Sequence, residues 1–187
     1  MKKNPQTAAR TGPTLQVNSS VTPVRVALQN AANAAGLPGD EHFRRWVNCA
    51  IDCADQPLAD NSCVTIRVVD EAESSTLNEL YRHIASPTNV LAFPVAHDEY
   101  PAGDDGENEL GDLVVCADVV LREAREQAKS ADAHFAHMTV HGSLHLLGYD
   151  HLTEQEAVEM ETLEKQVMAK LGFPDPYKDD NQDLAGA

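Results

Sequence analysis

Residues 141–151 read HGSLHLLGYDH, and these eleven residues decide the reading of the chain. His141 and His145 are four residues apart. At about 100° per residue they lie one above the other on the same helix face, so both imidazoles can reach one ion. Gly148 accepts positive φ without penalty and allows a sharp turn, which brings His151 back toward the same ion. Three neutral nitrogen ligands with a fourth position left open form the layout of a catalytic zinc site, not of a closed structural one. Other divalent ions also accept three imidazoles. The helix therefore reads as a zincin-like metal-binding helix with His141, His145 and His151 as ligands. Beside them, Asp150 is a candidate to orient a ligand imidazole from outside the ligand set, or else a turn residue. Upstream, His134 and His137 continue the stripe: His137 is a candidate outer-layer or proton-transfer group, and His134 reads as a spectator.

The spacing also matches that of metzincin proteases. Those enzymes carry a glutamate directly after the first histidine as general base. Position 142 here is glycine, which speaks against peptide hydrolysis.

Outward from the motif, the helix that carries it is expected to start at Ser130 or Asp132 and run to about Leu147, with Ala133, Ala136, Val140, Leu144 and Leu147 facing the core. Thr153-Glu154-Gln155-Glu156 is a capping box and opens another helix. Its buried face is Ala157, Met160, Leu163, Val167 and Leu171, Gly172 and Pro174 end it, and its glutamates, Glu154 to Glu164, are expected on the solvated side. A helix over about 118–129 is expected to turn Leu121, Ala124 and Ala128 inward. Earlier, Asp40 can cap a helix carrying Phe43, Trp46, Val47, Ala50 and Ala54, and Asp70 opens one to about His83 with Ala72, Leu77, Leu80 and Tyr81 at apolar positions. CVTIRVV at 63–69 alternates as a half-buried strand does, and GDLVVCADV at 111–119 reads as another. NVLAF, between Pro87 and Pro94, fits an edge strand. LQV at 15–17 is the candidate first strand. The whole reads as an α+β fold, a small mixed four-stranded sheet packed against about five helices. One metallohydrolase domain is expected over 14–177, between a disordered arm at 1–13 and a disordered acidic tail at 178–187.

The 187 residues suffice for one core, but the charge is unusual: 14 Lys and Arg against 30 Asp and Glu, a net charge of -16. Such a chain repels polyanions at long range, so any nucleic-acid role must rest on a local site, a metal or a partner. The stretch 97–110 holds six acidic residues and no Lys or Arg, and reads as an acidic loop. The two early lysines are followed by no apolar run, so no secretory leader and no membrane span are expected. Cys49, Cys53, Cys63 and Cys116 then read as reduced, mostly core thiols of a cytoplasmic protein.

The chain resembles the YbeY family of rRNA-maturation endoribonucleases. The resemblance rests on HGSLHLLGYDH, which fits the signature H-G-x-L-H-L-x-G-Y-D-H, and extends to LNELYR at 77–82, PTNVLAFP at 87–94 and LGDLVV at 110–115. It implies a single-strand-specific, zinc-dependent endoribonuclease for 16S rRNA 3′-end processing, small-subunit assembly and 70S ribosome quality control. It also implies zinc on His141, His145 and His151, a functional arginine at Arg82, and a small-subunit ribosomal protein and an Era-type GTPase as partners. Arg82 can hold a phosphate through its planar fork. Asn89 and Ala92 depart from the Asp and Ser that many members carry. Competing readings are an assembly factor with a structural zinc, a metalloprotease and a hydrolase of a small phosphorylated molecule.

Overall fold

A computed structural model describes residues 23–95 and 108–178. The expected arm at 1–13, the strand at 15–17, the acidic stretch up to Glu107 and the tail after Lys178 lie outside the described residues. The elements run β1 (Arg25–Asn30), α1 (Asp40–Ala54), β2 (Ser62–Val69), α2 (Glu71–Arg82), β3 (Val90–Pro94), β4 (Asn108–Cys116), α3 (Ala117–Glu126), α4 (Ala131–Leu146) and α5 (Glu154–Leu171). The fold is α+β, with four described strands in one mixed sheet of order β1-β2-β4-β3. β1 and β4 pair in parallel with β2, whereas β3 runs antiparallel to β4 at one edge.

β1 is a strand that the sequence does not single out. Val24, just before it, and Val26 within it are buried, and Leu28 packs half-buried against the same core. The alternation is the ordinary signature of a strand with one covered face. Asn108 to Leu110, expected in a loop, begin β4.

The two faces of the sheet carry different layers. On one face Val64, Ile66, Leu113 and Val115 meet Trp46 and Phe43 of α1, Phe135 and Leu144 of α4, and Met160 and Val167 of α5 in one core. On the other, Val69, Leu91, Val114 and Cys116 meet Val119, with Leu77 and Phe93 packed against them. Alternation along β4 assigns successive side chains to opposite layers.

The first three helices depart from expectation in detail. Asp40 lies in the first turn of α1, and Gly39 holds the capping position. In α2 the buried positions are Ser74 and Asn78, and Leu80 and Tyr81 are exposed. The reason is that their donors are paired: Ser74 Oγ donates to Thr88 O at 2.9 Å, and Asn78 Nδ2 to Ser86 O at 2.8 Å. These bonds tie α2 to the segment that leads into β3. Ala128, expected inward on α3, lies beyond its end, exposed and at positive φ.

Candidate metal centre

α4 starts where its sequence says it should. Ser130 Oγ accepts from Ala133 N at the N-cap. The helix then runs through the middle of the protein and is buried on nearly every side from Ala133 to Leu146. A stripe pattern alone would leave half of it in solvent; α1, α3, α5 and two strands cover it instead. This contact is close at Gly142. A Cβ there would stand 2.8 Å from Leu113 Cδ2 and 3.2 Å from Val90 Cγ2. Position 142 faces the sheet, so the glutamate of metzincin proteases has no room here. After Leu147, Gly148 takes φ 88° and turns the chain, as the sequence predicts.

The turn brings three imidazoles together. The ligating atoms of His141, His145 and His151 all lie within 4.8 Å of one another. Nε2 of His141 and Nε2 of His145 are 3.1 Å apart, and the His151 ring stacks at 27° to that of His141. Two nitrogens, each about 2.0–2.1 Å from one tetrahedral ion, stand about 3.3 Å apart. The spacing of His141 and His145 therefore fits a shared ion.

The second nitrogen of each helical histidine fixes its tautomer. His145 Nδ1 donates to the Tyr149 carbonyl at 2.9 Å, which the turn at Gly148 places there. His141 Nδ1 stands 2.8 Å from Oε1 of Glu164. Glu164 is fully buried, against the expectation of a solvated side chain on α5. Burial pushes its carboxyl upward, and the imidazoles of His137 and His141 with the Tyr177 hydroxyl outweigh this, holding it at about 2. It is therefore ionised and only accepts, so His141 Nδ1 carries a proton, which leaves Nε2 as the coordinating atom of the neutral ring. Both helical histidines thus direct their Nε2 atoms toward one point, the arrangement a divalent cation needs. Burial, then the neighbouring His141, lowers the His145 imidazole, which favours the same neutral form.

Glu164 is the site residue that the sequence conceals. Its glutamate neighbours Glu154, Glu156 and Glu159 are exposed, and nothing local marks it apart. One signal exists: it falls four residues after Met160 and three before Val167, on the buried face.

The other candidates are placed as follows. His137 Nε2 stands 3.7 Å from Glu164 Oε1, so His137 backs the carboxylate rather than the ligands. Asp150 Oδ1 accepts from the main-chain N–H of His151 at 2.8 Å and shapes the turn there. His134 Nε2 bonds Glu123 Oε2 at 2.8 Å, and Asn89 Nδ2 donates to the same carboxylate, at 3.1 and 3.3 Å. An aspartate at 89 would have no proton to offer Glu123; the departure at Asn89 suits its partner. Ala92 packs against the core. Arg82 ends α2 at an exposed position beside Tyr81, whose ring meets Phe93 of the edge strand at 4.8 Å. Among the described residues no other His, Cys, Asp or Glu group is clustered for a metal, and the four cysteines are free thiols. No described helix is long and apolar enough to cross a membrane.

Several known proteins are similar to this chain. A protein of Pseudomonas entomophila (strain L48) called endoribonuclease YbeY is 52% identical over 156 residues, 83% of this chain and 94% of its own. A protein of the same name from Pseudomonas putida is 51% identical over an equal span. Among solved structures, a Thermotoga maritima protein determined in solution is similar with a TM-score of 0.49 and 22% identity, over 81% of this chain and 99% of that one. The endoribonuclease YbeY family itself matches residues 28–172, a span that holds the histidine cluster, Glu164 and the whole sheet apart from the first three residues of β1, and to that family this chain belongs.

Proposed function

We propose that this protein is a zinc-dependent endoribonuclease that cuts single-stranded RNA, with the ion held by His141, His145 and His151. One observation carries the reading: the Nε2 atoms of His141 and His145 face each other at 3.1 Å while their Nδ1 atoms are engaged elsewhere. Two ring nitrogens at that distance share a proton or a metal ion, and His151, within 4.8 Å of both, supplies the third ligand that favours the metal.

A divalent ion there supplies Lewis acidity toward a phosphodiester and makes water a stronger acid at neutral pH. The chain's own residues do the rest. Glu164 and the Tyr149 carbonyl hold two rings at fixed angles, so the ligands do not have to be ordered on binding. Arg82 grips a phosphate through its planar fork and orients the strand. The negative charge of the whole chain confines RNA binding to this local site and favours docking on basic ribosomal proteins. The family points to 16S rRNA 3′-end maturation, small-subunit assembly and ribosome quality control in the cytoplasm, beside a small-subunit protein and an Era-type GTPase.

Cleavage of an end-labelled single-stranded RNA tests this. Wild type is expected to cut, and His141→Ala, Arg82→Glu and chelator-treated protein to fail while keeping a folded far-UV spectrum. Equal cleavage by all four points to a contaminating nuclease and removes the claim. A chain that unfolds without metal makes the ion structural instead.

A further inference from the structure

Tyr177 lies five residues beyond the segment matched by the family and far along the chain from the histidine motif. Its hydroxyl donates to Oε2 of the buried Glu164, whose Oε1 accepts from His141 Nδ1 at 2.8 Å. The two carboxylate oxygens thus serve different partners, one on each side. A carboxylate held at both oxygens cannot rotate about its last bond without losing a contact. The acceptor that His141 Nδ1 meets is therefore fixed in direction as well as in distance.

The segment that carries Tyr177 is itself anchored. Lys129 Nζ, in the turn before α4, donates to the Pro176 carbonyl at 2.6 Å, and Pro176 is buried. Tyr177 N donates to Asp175 Oδ1 at 2.9 Å. The ring stands edge-on to His137, centroids 5.5 Å apart, and Lys165 Nζ lies 5.0 Å from its centre. The phenol is therefore held through its backbone and through its ring, and it reaches the site from a part of the chain that makes no other contribution there.

We infer that Tyr177 is a positioning residue for the metal centre: through Glu164 it sets the angle and tautomer of His141, and the segment 173–178 acts as an outer strap on the ion. The inference rests on His141 being a ligand. Groups outside the ligand set typically change metal affinity by about 10- to 100-fold when removed.

The test is metal affinity of the full chain, read by competition between Zn2+ and a chromophoric chelator, beside thermal melting of the metal-free protein. Wild type is measured first; if it binds no ion, the reading of the site fails and the strap is not the cause. Tyr177→Phe keeps the ring packing on His137 and removes only the donor. It is expected to bind zinc about 10-fold more weakly, with only the small fall in metal-free melting temperature that one lost hydrogen bond causes. Unchanged affinity overturns the inference. A fall in metal-free melting large enough to account for the lost affinity overturns it too, in favour of a purely structural tyrosine. Should Tyr177→Phe not fold, Lys129→Met, which frees the Pro176 carbonyl at a distance from every ligand, is measured in the same two ways: weaker zinc binding at unchanged melting supports the strap, and either of the other two results overturns it.

Discussion

Gly142→Ala sets two physical effects against each other, and the structure decides the sign. In an isolated helix the change stabilises by about 1 kcal/mol, because glycine is the more flexible residue. Here α4 lies against the sheet. The new Cβ would meet Leu113 Cδ2 at 2.8 Å and Val90 Cγ2 at 3.2 Å. Leu113 is fully buried, and Val90 is 7% exposed and stiff at χ1. Neither can move into solvent, so α4 must back away or the two side chains must leave their rotamers. Overpacking of this kind costs about 1–3 kcal/mol. The net expectation is a loss of up to about 2 kcal/mol, which in a chain of this size lowers Tm by several degrees at about 2–4 °C per kcal/mol. Urea unfolding of the metal-free protein measures it, as a lower midpoint with an unchanged slope. A variant as stable as wild type, or more stable, would show that α4 does not press on β3 and β4 as described. Gly142→Glu sharpens the point: its carboxylate would be driven into Leu113 and Val90, so the variant is expected to lose more stability and to gain no activity on casein.

Gly148→Ala meets no neighbour within 4 Å, so its cost is the backbone alone, about 1–2 kcal/mol for an L-residue at φ 88°. Metal affinity is expected to fall with it, since the turn carries His151 and the Tyr149 carbonyl; full affinity in a destabilised variant would detach the turn from the ion. Acidification offers a separate check at His134. Burial lowers its imidazole below the ordinary value of 6.5, with His137 and Lys129 acting in the same direction and Glu123 opposing. The unfolded chain therefore takes up this proton more readily than the folded one. The stabilisation is complete above about pH 6.5 and is lost as pH falls below it. His134→Gln should flatten the decline in urea midpoint between about pH 7 and 5.5; an unchanged slope would assign the decline to other groups.

The local parts of this fold are legible because they are coded locally. Ser130, Asp70 and Thr153 each hold the N-cap that their positions announce, and Thr153 with Glu156 forms the full capping box. The histidine spacing likewise encodes its own geometry: two residues a turn apart and a glycine bend. What the sequence hides depends on contacts distant along the chain. Glu164 is set apart from its neighbours only by its place between Met160 and Val167, and its role shows once His141, 23 residues away, is folded against it. Tyr177 reads as a residue near a polar tail until its hydroxyl meets that carboxylate. α2 buries Ser74 and Asn78 because two carbonyls of the following segment accept from them, and no hydrophobic period reports that. β1 is a different case. Val24, Val26 and Leu28 do alternate in the sequence, but the short apolar run at 15–17 competes with them, and only pairing with β2 distinguishes the strand.

The most direct measurement is metal content by elemental analysis, together with zinc titration, of the purified wild type and of His141→Ala, His145→Ala and His151→Ala. One ion per wild-type chain is expected, with each substitution abolishing tight binding and leaving the secondary structure intact. Wild type that takes up no zinc, or three variants that hold it as tightly as wild type does, would contradict a metal centre built on these three rings.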